Sequence, residues 1–298
     1  VLPQAADAVF RPLTTEGSGT TRYSERERQH LDLVLHWPGA APLVIENKVF
    51  SLPSLGQLDE YAAVVSQWSE RPSLCLLSVG APAHLADNRI SGWRYLSYLE
   101  LADRIDAALP RTTDYEVETM RRYASLARDL HELMQTTEVV DDAEPVWQTL
   151  APLSPQLRAA LQKARAQRVA ATIAQHLGPT ERPVHSALSN ATPLVEWFSS
   201  VHIDGEPLSV GWQLQGDQFR RAVVFSSDTY TGRTVESRDR REAWSRAHPE
   251  LFAFAGALAE LPQGRREFNH FAPSFVYRYV KVPGMTIGQL KDAAQRLA

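Results

Sequence analysis

Leu31-Asp32-Leu33-Val34-Leu35-His36 and Leu43-Val44-Ile45-Glu46-Asn47-Lys48-Val49 are two apolar runs rich in strand formers, separated by Trp37-Pro38-Gly39-Ala40-Ala41-Pro42. Proline and glycine mark the intervening stretch as a turn. A turn this short predicts an antiparallel hairpin. Each run carries charge in an otherwise apolar strand: Asp32 in the first, Glu46 and Lys48 in the second. Such charges cost free energy unless they are paired or bind something. Successive strand side chains alternate faces, so Glu46 and Lys48 point one way while Ile45 and Val49 point the other. With His36 opposite Pro42, counting back sets Asp32 opposite Glu46, at a Cβ separation of roughly 5 Å. Two facing carboxylates repel, which raises a pKa or calls for a cation. A hard divalent ion held by carboxylate oxygens resolves the repulsion, with Mg²⁺ the leading candidate. That chemistry suits phosphodiester hydrolysis. The ion neutralises a phosphate oxygen and lowers the pKa of a water, while Lys48 orients that water or stabilises charge building on phosphorus. The plain alternative is a buried ion pair, Glu46/Lys48 or Asp32/Lys48, that only fixes strand register.

Downstream, Leu58, Tyr61, Ala62, Val65 and Trp68 recur at helical spacing, which predicts a helix from Ser54 to about Trp68 with Ser54 as its N-cap. Gln57 and Tyr61, four apart, share one face of it. Acid, turn, Glu-x-Lys and Gln-x-x-x-Tyr in this order resemble the PD-(D/E)XK nuclease superfamily, specifically the RecB-like branch with an Ile-Glu-Asn-Lys strand and a Gln-Leu-x-x-Tyr helix. Asp32 matches the first motif acid, Glu46 and Lys48 the second motif, and Gln57 with Tyr61 the helix motif. The resemblance implies a restriction-endonuclease-like mixed sheet flanked by helices over about residues 1 to 135. It also implies Asp32, Glu46 and the backbone carbonyl of Asn47 as metal ligands, with Mg²⁺ as cofactor and Mn²⁺ as a substitute. The implied substrate is DNA more than RNA, and the implied biology is restriction, repair or defence against foreign DNA. Gln57 is expected to hydrogen-bond a phosphate or fix Lys48, and Tyr61 to stack or to donate to the substrate backbone. Tyr61 also falls in the apolar stripe of its helix, so core burial is its other reading. The first motif here is Leu31-Asp32, without the proline of the family's name. The family's N-terminal helix, with its additional acid, has no secure place before Asp32. Glu16, in Thr14-Thr15-Glu16-Gly17, is a further ligand candidate whose ordinary reading is a solvated loop acid.

Beyond the hairpin and its helix, Ser73 to Val79 and Trp93 to Tyr98 read as strands, with helices from about Leu99 to Leu109 and from Tyr115 to about Met134. The acidic stretch Gln135 to Pro145 is the expected linker, dividing a nuclease-like domain at residues 1–140 from an accessory α+β domain at 145–298. In that second half a helix from about Ser154 to Leu177 precedes strands at Leu194 to Ile203, Leu208 to Gln215, Phe219 to Ser226 and Phe275 to Val282. A helix from Thr286 to Leu297 closes the chain. Asp204-Gly205 and Gly216-Asp217 are hairpin punctuation. Arg158, Lys163, Arg165 and Arg168, the pair Arg220 and Arg221, the cluster Arg238, Arg240 and Arg241, and the pair Arg265 and Arg266 are each expected as solvated surface. Trp197, Trp212, Trp244, Phe219, Phe225, Phe275, Tyr277 and Tyr279 are expected to pack a core.

Composition narrows the classes further. The chain has 298 residues, 44% hydrophobic and 22% charged, with 31 Lys plus Arg against 35 Asp plus Glu and a net charge of -4. A globular protein is indicated, and binding of polyanions through bulk charge is disfavoured, so a nucleic acid must be met by a local patch. The single cysteine, Cys75, rules out an intrachain disulfide and reads as a buried hydrophobe. No apolar run is long enough to span a membrane and no secretory leader opens the chain, so a soluble, cytoplasmic protein is expected. Val1 in place of an initiator Met predicts processing or a preceding element. There is no GxxxxGK loop, GxGxxG, HExxH or GxSxG, and the nine histidines lack metal-ligand spacing. The first expectation is therefore a DNA-cutting, metal-dependent phosphodiesterase. A non-catalytic or partner-gated module of the same fold is the alternative, and a homo-oligomer or a defence-system partner is compatible with either.

Overall fold

The computed structural model describes residues 7–14, 23–49, 55–68, 70–79, 92–150, 153–180 and 182–297. The chain divides into two compact units, residues 1–137 and 138–298. The expected N-cap Ser54 and the candidate ligand Glu16 lie outside the described residues.

The first unit is built on a mixed five-stranded sheet, in sequential order, of β1 (Tyr23–Arg28), β2 (Leu31–His36), β3 (Leu43–Lys48), β4 (Ser73–Ser78) and β5 (Trp93–Ser97). The β1/β2 and β2/β3 pairs are antiparallel, and β3/β4 and β4/β5 are parallel. Parallel neighbours need a crossover, and α1 (Leu55–Ser66) supplies the one between β3 and β4. Its Leu58 and Val65 join Val34, Val44 and Leu76 in one buried cluster, with Tyr61 packed at the edge. α2 (Tyr98–Ala108) and α3 (Tyr115–Gln135) complete the unit. Tyr98 opens a helix rather than ending a strand, because the Ser97 side chain caps it, accepting the Glu100 N–H at 3.0 Å.

Strand β1 has no hydrophobic signal, since Tyr23-Ser24-Glu25-Arg26-Glu27-Arg28 is almost wholly polar. It is an edge strand, where charge is tolerated and guards against intermolecular pairing. Its turn to β2 uses Gln29 and His30 at φ 52° and 70°, the left-handed pair that a two-residue hairpin requires, without the usual Asn or Gly.

In the second unit a six-stranded antiparallel sheet has the order β10-β11-β9-β8-β7-β6. The strands are β6 (His185–Ser189), β7 (Thr192–Ile203), β8 (Glu206–Gln215), β9 (Gln218–Phe225), β10 (Asn269–Phe271) and β11 (Phe275–Lys281). One face carries α4 (Pro155–Leu177) and α6 (Ile287–Leu297), whose Val169, Ile173 and Leu290 pack with Trp212, Phe219 and Val280. α5 (Val235–Ala247) brings Trp244 to a neighbouring cluster with Phe225 and Phe252. The Asp204-Gly205 turn takes φ 53° and 81°, as its sequence predicts.

Two expectations for this half are corrected. From Glu138 onward the acidic stretch is part of the second unit and not a free linker. Glu138 pairs with Arg168, Glu144 with Arg165 at 3.1 Å and Asp142 with Lys291 at 2.6 Å. The second correction concerns the arginines: Arg165, Arg168, Arg221 and Arg241 are buried rather than solvated. Backbone carbonyls explain how a guanidinium is tolerated there, Arg241 donating to Tyr230 and Gly232 and Arg221 to Leu297. Trp197, Trp212, Trp244, Phe219 and Phe225 are core as expected, whereas Phe275, Tyr277 and Tyr279 are only half-buried.

Candidate active site

β3 lies at the centre of the first sheet, antiparallel to β2 and parallel to β4. Its register with β2 runs Leu35↔Leu43, Val34↔Val44 and Leu33↔Ile45 and ends there, one step short of the Asp32 and Glu46 pair that the hairpin arithmetic predicts. There the ladder gives way to a side chain, the Asn47 N–H donating to Asp32 Oδ2 at 2.7 Å. The Lys48 carbonyl accepts from the Val79 N–H on the β4 side. Alternation along the strand then turns the Asn47 carbonyl toward the β2 side, where Asp32 stands.

The three charges differ in environment. Glu46 is 1% exposed, Lys48 is half-buried and Asp32 is exposed. The apolar strand setting therefore does not bury all three charges: β2 lies next to an edge strand and its first charged residue reaches solvent. Lys48 Nζ lies 2.5 Å from Glu46 Oε1. Glu46 Oε2 is buried and makes no close hydrogen bond among the described residues, the Asp32 backbone N–H being the group that approaches the carboxylate. Burial pushes the Glu46 pKa above its ordinary value, and the Asp32 charge adds to that. The Lys48 hydrogen bond and charge, with the Asp32 backbone N–H, pull the other way without reversing it. Two carboxylates and one ammonium leave a negative charge unbalanced.

Like charges directly opposite in a sheet are destabilising, and β1 shows the consequence. Arg26 pairs with Leu33 and Arg28 with Leu31, while the intervening Glu27, which would face Asp32, takes φ 53°. Glu27 therefore leaves the regular strand conformation beside the carboxylate pair.

Helix α1 covers the Glu46 side of the sheet, because Val44, Glu46 and Lys48 alternate onto one face and Val44 packs with Leu58. Gln57 Nε2 donates to Tyr61 Oη at 3.0 Å, so the two motif residues act as one polar unit. Tyr61 is half-buried against the apolar cluster, which joins its core role to its polar one.

No family model, curated protein or solved structure matches the chain. The chemistry of the site therefore rests on its own geometry. On the opposite face of β3, the Tyr98 hydroxyl donates to Asn47 Oδ1 at 2.7 Å and shares a hydrogen bond with Tyr123. Burial lifts the Tyr98 pKa to about 12, which keeps it a donor at any physiological pH. Tyr123 also lines a cavity of about 660 Å³ with Asp32, Asn47, Arg26 and Phe10. Tyr98 and Tyr123 lie on helices distant in sequence and carry no motif, so no local pattern links them to Asn47. Residues 7–10 are helical and run into a 3-10 turn, Arg11–Leu13.

Among the described residues no group of three or more His, Cys, Asp and Glu could hold a metal ion. A cation here would have two carboxylates and a carbonyl as its protein donors. Mg²⁺ is commonly bound in this way, through one or two carboxylates, with water and substrate phosphate filling its remaining positions. The orphaned Glu46 Oε2 and the unbalanced negative charge fit that donor set.

Proposed function

We propose that the first unit is a metal-dependent nuclease that hydrolyses DNA phosphodiester bonds, with Asp32, Glu46 and Lys48 as its working residues. The observation that carries this reading is Glu46 itself, a carboxylate buried in a central strand with Oε1 on Lys48, no close hydrogen bond to Oε2, and the Asp32 backbone N–H and charge beside it. A register-fixing ion pair would leave no open valence, since burying an unsatisfied carboxylate oxygen is costly. Asp32, Glu46 and the Asn47 carbonyl would hold Mg²⁺, which supplies charge neutralisation at a phosphate oxygen and lowers the pKa of a water.

The chain's own groups do the remaining work. Lys48 carries a compact positive charge that orients the attacking water and meets the charge building on phosphorus, a task that suits an ammonium on a flexible stem. The Asn47 N–H fixes the Asp32 carboxylate, and Tyr98 fixes the Asn47 side chain from the other face. The Gln57 and Tyr61 pair on α1 offers a donor and a ring on the Glu46 side, suited to a phosphate and a sugar or base.

The test is cleavage of supercoiled, linear and single-stranded DNA, and of RNA, with Mg²⁺, Mn²⁺ or EDTA. Metal-dependent cutting that EDTA stops is the expected result, and the substrate panel separates DNA from RNA. Absence of cutting under every metal, with nucleic acid still bound, would replace this reading with that of a binding module.

A further inference from the structure

The six-stranded sheet of the second unit has two unlike faces. Trp212, Phe219 and Val280 point to the helix-covered side. Strand alternation sends Arg220, Tyr277, Tyr279 and Lys281 to the other side, where the register places Arg220 beside Tyr279. The Arg220 guanidinium lies 4.6 Å over the Tyr277 ring and is held by the side-chain oxygens of Gln213, Gln215 and Gln218. No carboxylate pairs with it among the described residues, so its positive charge is oriented but uncompensated.

Tyr279 stands on Gly264, which donates its N–H to the Tyr279 carbonyl at 3.0 Å. A Cβ at residue 264 would come within 2.4 Å of the Tyr279 ring, so glycine is what lets this segment lie against it. The segment continues into Arg265 and Arg266, both exposed and without an ion pair among the described residues. The acid that follows, Glu267, is already engaged by Arg246 at 2.9 Å. Among the described residues Lys281 pairs only with Asp217, at 3.9 Å. Arg265, Arg266, Lys281, Asn269 and Tyr279 line an open cavity of about 650 Å³, within the ~300–1,000 Å³ span of ordinary ligand pockets.

We propose that this face binds single-stranded nucleic acid, with a base on the Tyr279 ring and phosphates on Arg265, Arg266 and Lys281. A ring set among cations at the rim of a cavity is the chemistry that grips an unpaired strand without reading its sequence. A duplex keeps its bases stacked inside and offers such a ring nothing. An acidic polypeptide would use the cations and leave the ring idle. The inference rests on the nuclease reading for its biological sense, since it names the form of substrate that the first unit would be offered.

The experiment is fluorescence anisotropy of the full chain in EDTA, where no cutting occurs, with labelled oligothymidylate and oligouridylate of about 12 nucleotides and a duplex of the same length. The single strands are expected to bind at least tenfold tighter than the duplex. The double variant Arg265→Ala with Arg266→Ala weakens binding and reduces the slope of log affinity against log salt by about 1.4, at ~0.7 per lost phosphate contact. Tyr279→Ala weakens binding about tenfold with the slope unchanged, while Tyr279→Phe keeps the ring and the affinity. Duplex bound as tightly as single strand overturns the proposal. So does Tyr279→Ala binding like wild type, or polyglutamate competing as well as oligothymidylate. Binding without cutting in Mg²⁺ contradicts the nuclease reading alone. Normal cutting with binding indifferent to Arg265, Arg266 and Tyr279 contradicts this proposal alone.

Discussion

Glu46 in the first unit and Arg165 in the second are both charged, and both almost wholly removed from water, at 1% and 2% exposure. Every guanidinium nitrogen of Arg165 is engaged: Nε on the Val146 carbonyl at 3.0 Å, and the terminal nitrogens on the carbonyls of Glu138 and Pro145 and on Glu144. The result is a clamp that ties the start of the unit to α4. Glu46 has one oxygen on Lys48, one with no partner, a second carboxylate across the hairpin and a raised pKa. Charge that is buried and satisfied holds a fold together. The Glu46 carboxylate, with Oε2 unsatisfied beside a second carboxylate, is the one the proposed cation would satisfy.

Glu46→Gln tests that difference most sharply. Cleavage is expected to fall by about 100- to 1,000-fold or more, as when a transition-state charge partner is lost. Stability is expected to move the other way. The folded-state pKa of Glu46 is raised, so the folded protein holds that proton more tightly than the unfolded chain does. The associated stability is present below the unfolded carboxylate value and is lost as pH rises through the raised folded value. The amide should therefore match wild type in acid and exceed it at neutral pH, read as thermal midpoints across that window. A large loss of stability at pH 7 would make Glu46 a second Arg165.

Arg165→Met is the reciprocal experiment. Removing one member of a buried, satisfied network costs about 3 kcal/mol, seen as a lower urea midpoint for the second unit. Unchanged stability would dissolve the contrast between the two residues.

The contrast also explains what was legible in the sequence. The β2/β3 hairpin could be read because its turn is short and its runs are apolar, and its register brought Asp32 near Glu46. The Gln57/Tyr61 pair followed from helical spacing alone. Strand β1 was invisible, since an edge strand of alternating charges on a left-handed Gln29-His30 turn carries neither the hydrophobic nor the glycine signal. Tyr98 and Tyr123 were invisible for another reason, because only tertiary packing brings them to Asn47. The burial of Arg165, Arg168, Arg221 and Arg241 was misread because long cations are usually solvated, and their carbonyl partners come from distant segments. The exposure of Asp32 was misread in the opposite sense, because an apolar strand does not tell which of its residues reach the sheet's open margin.

A smaller effect is expected at the rim of the site. Tyr61→Phe removes the hydroxyl that accepts from Gln57 and leaves the ring in the apolar cluster, at a cost of about 1 kcal/mol in stability. A several-fold drop in cleavage beyond that would mark the hydroxyl as a substrate contact, and no drop would leave Tyr61 as core.

The central claim stands on Lys48. Cleavage of DNA in Mg²⁺ by wild type and by Lys48→Ala, each first shown to be folded by circular dichroism, tests it most directly. The account predicts metal-dependent cutting by wild type and its loss in Lys48→Ala. Cutting by Lys48→Ala at the wild-type rate would contradict it.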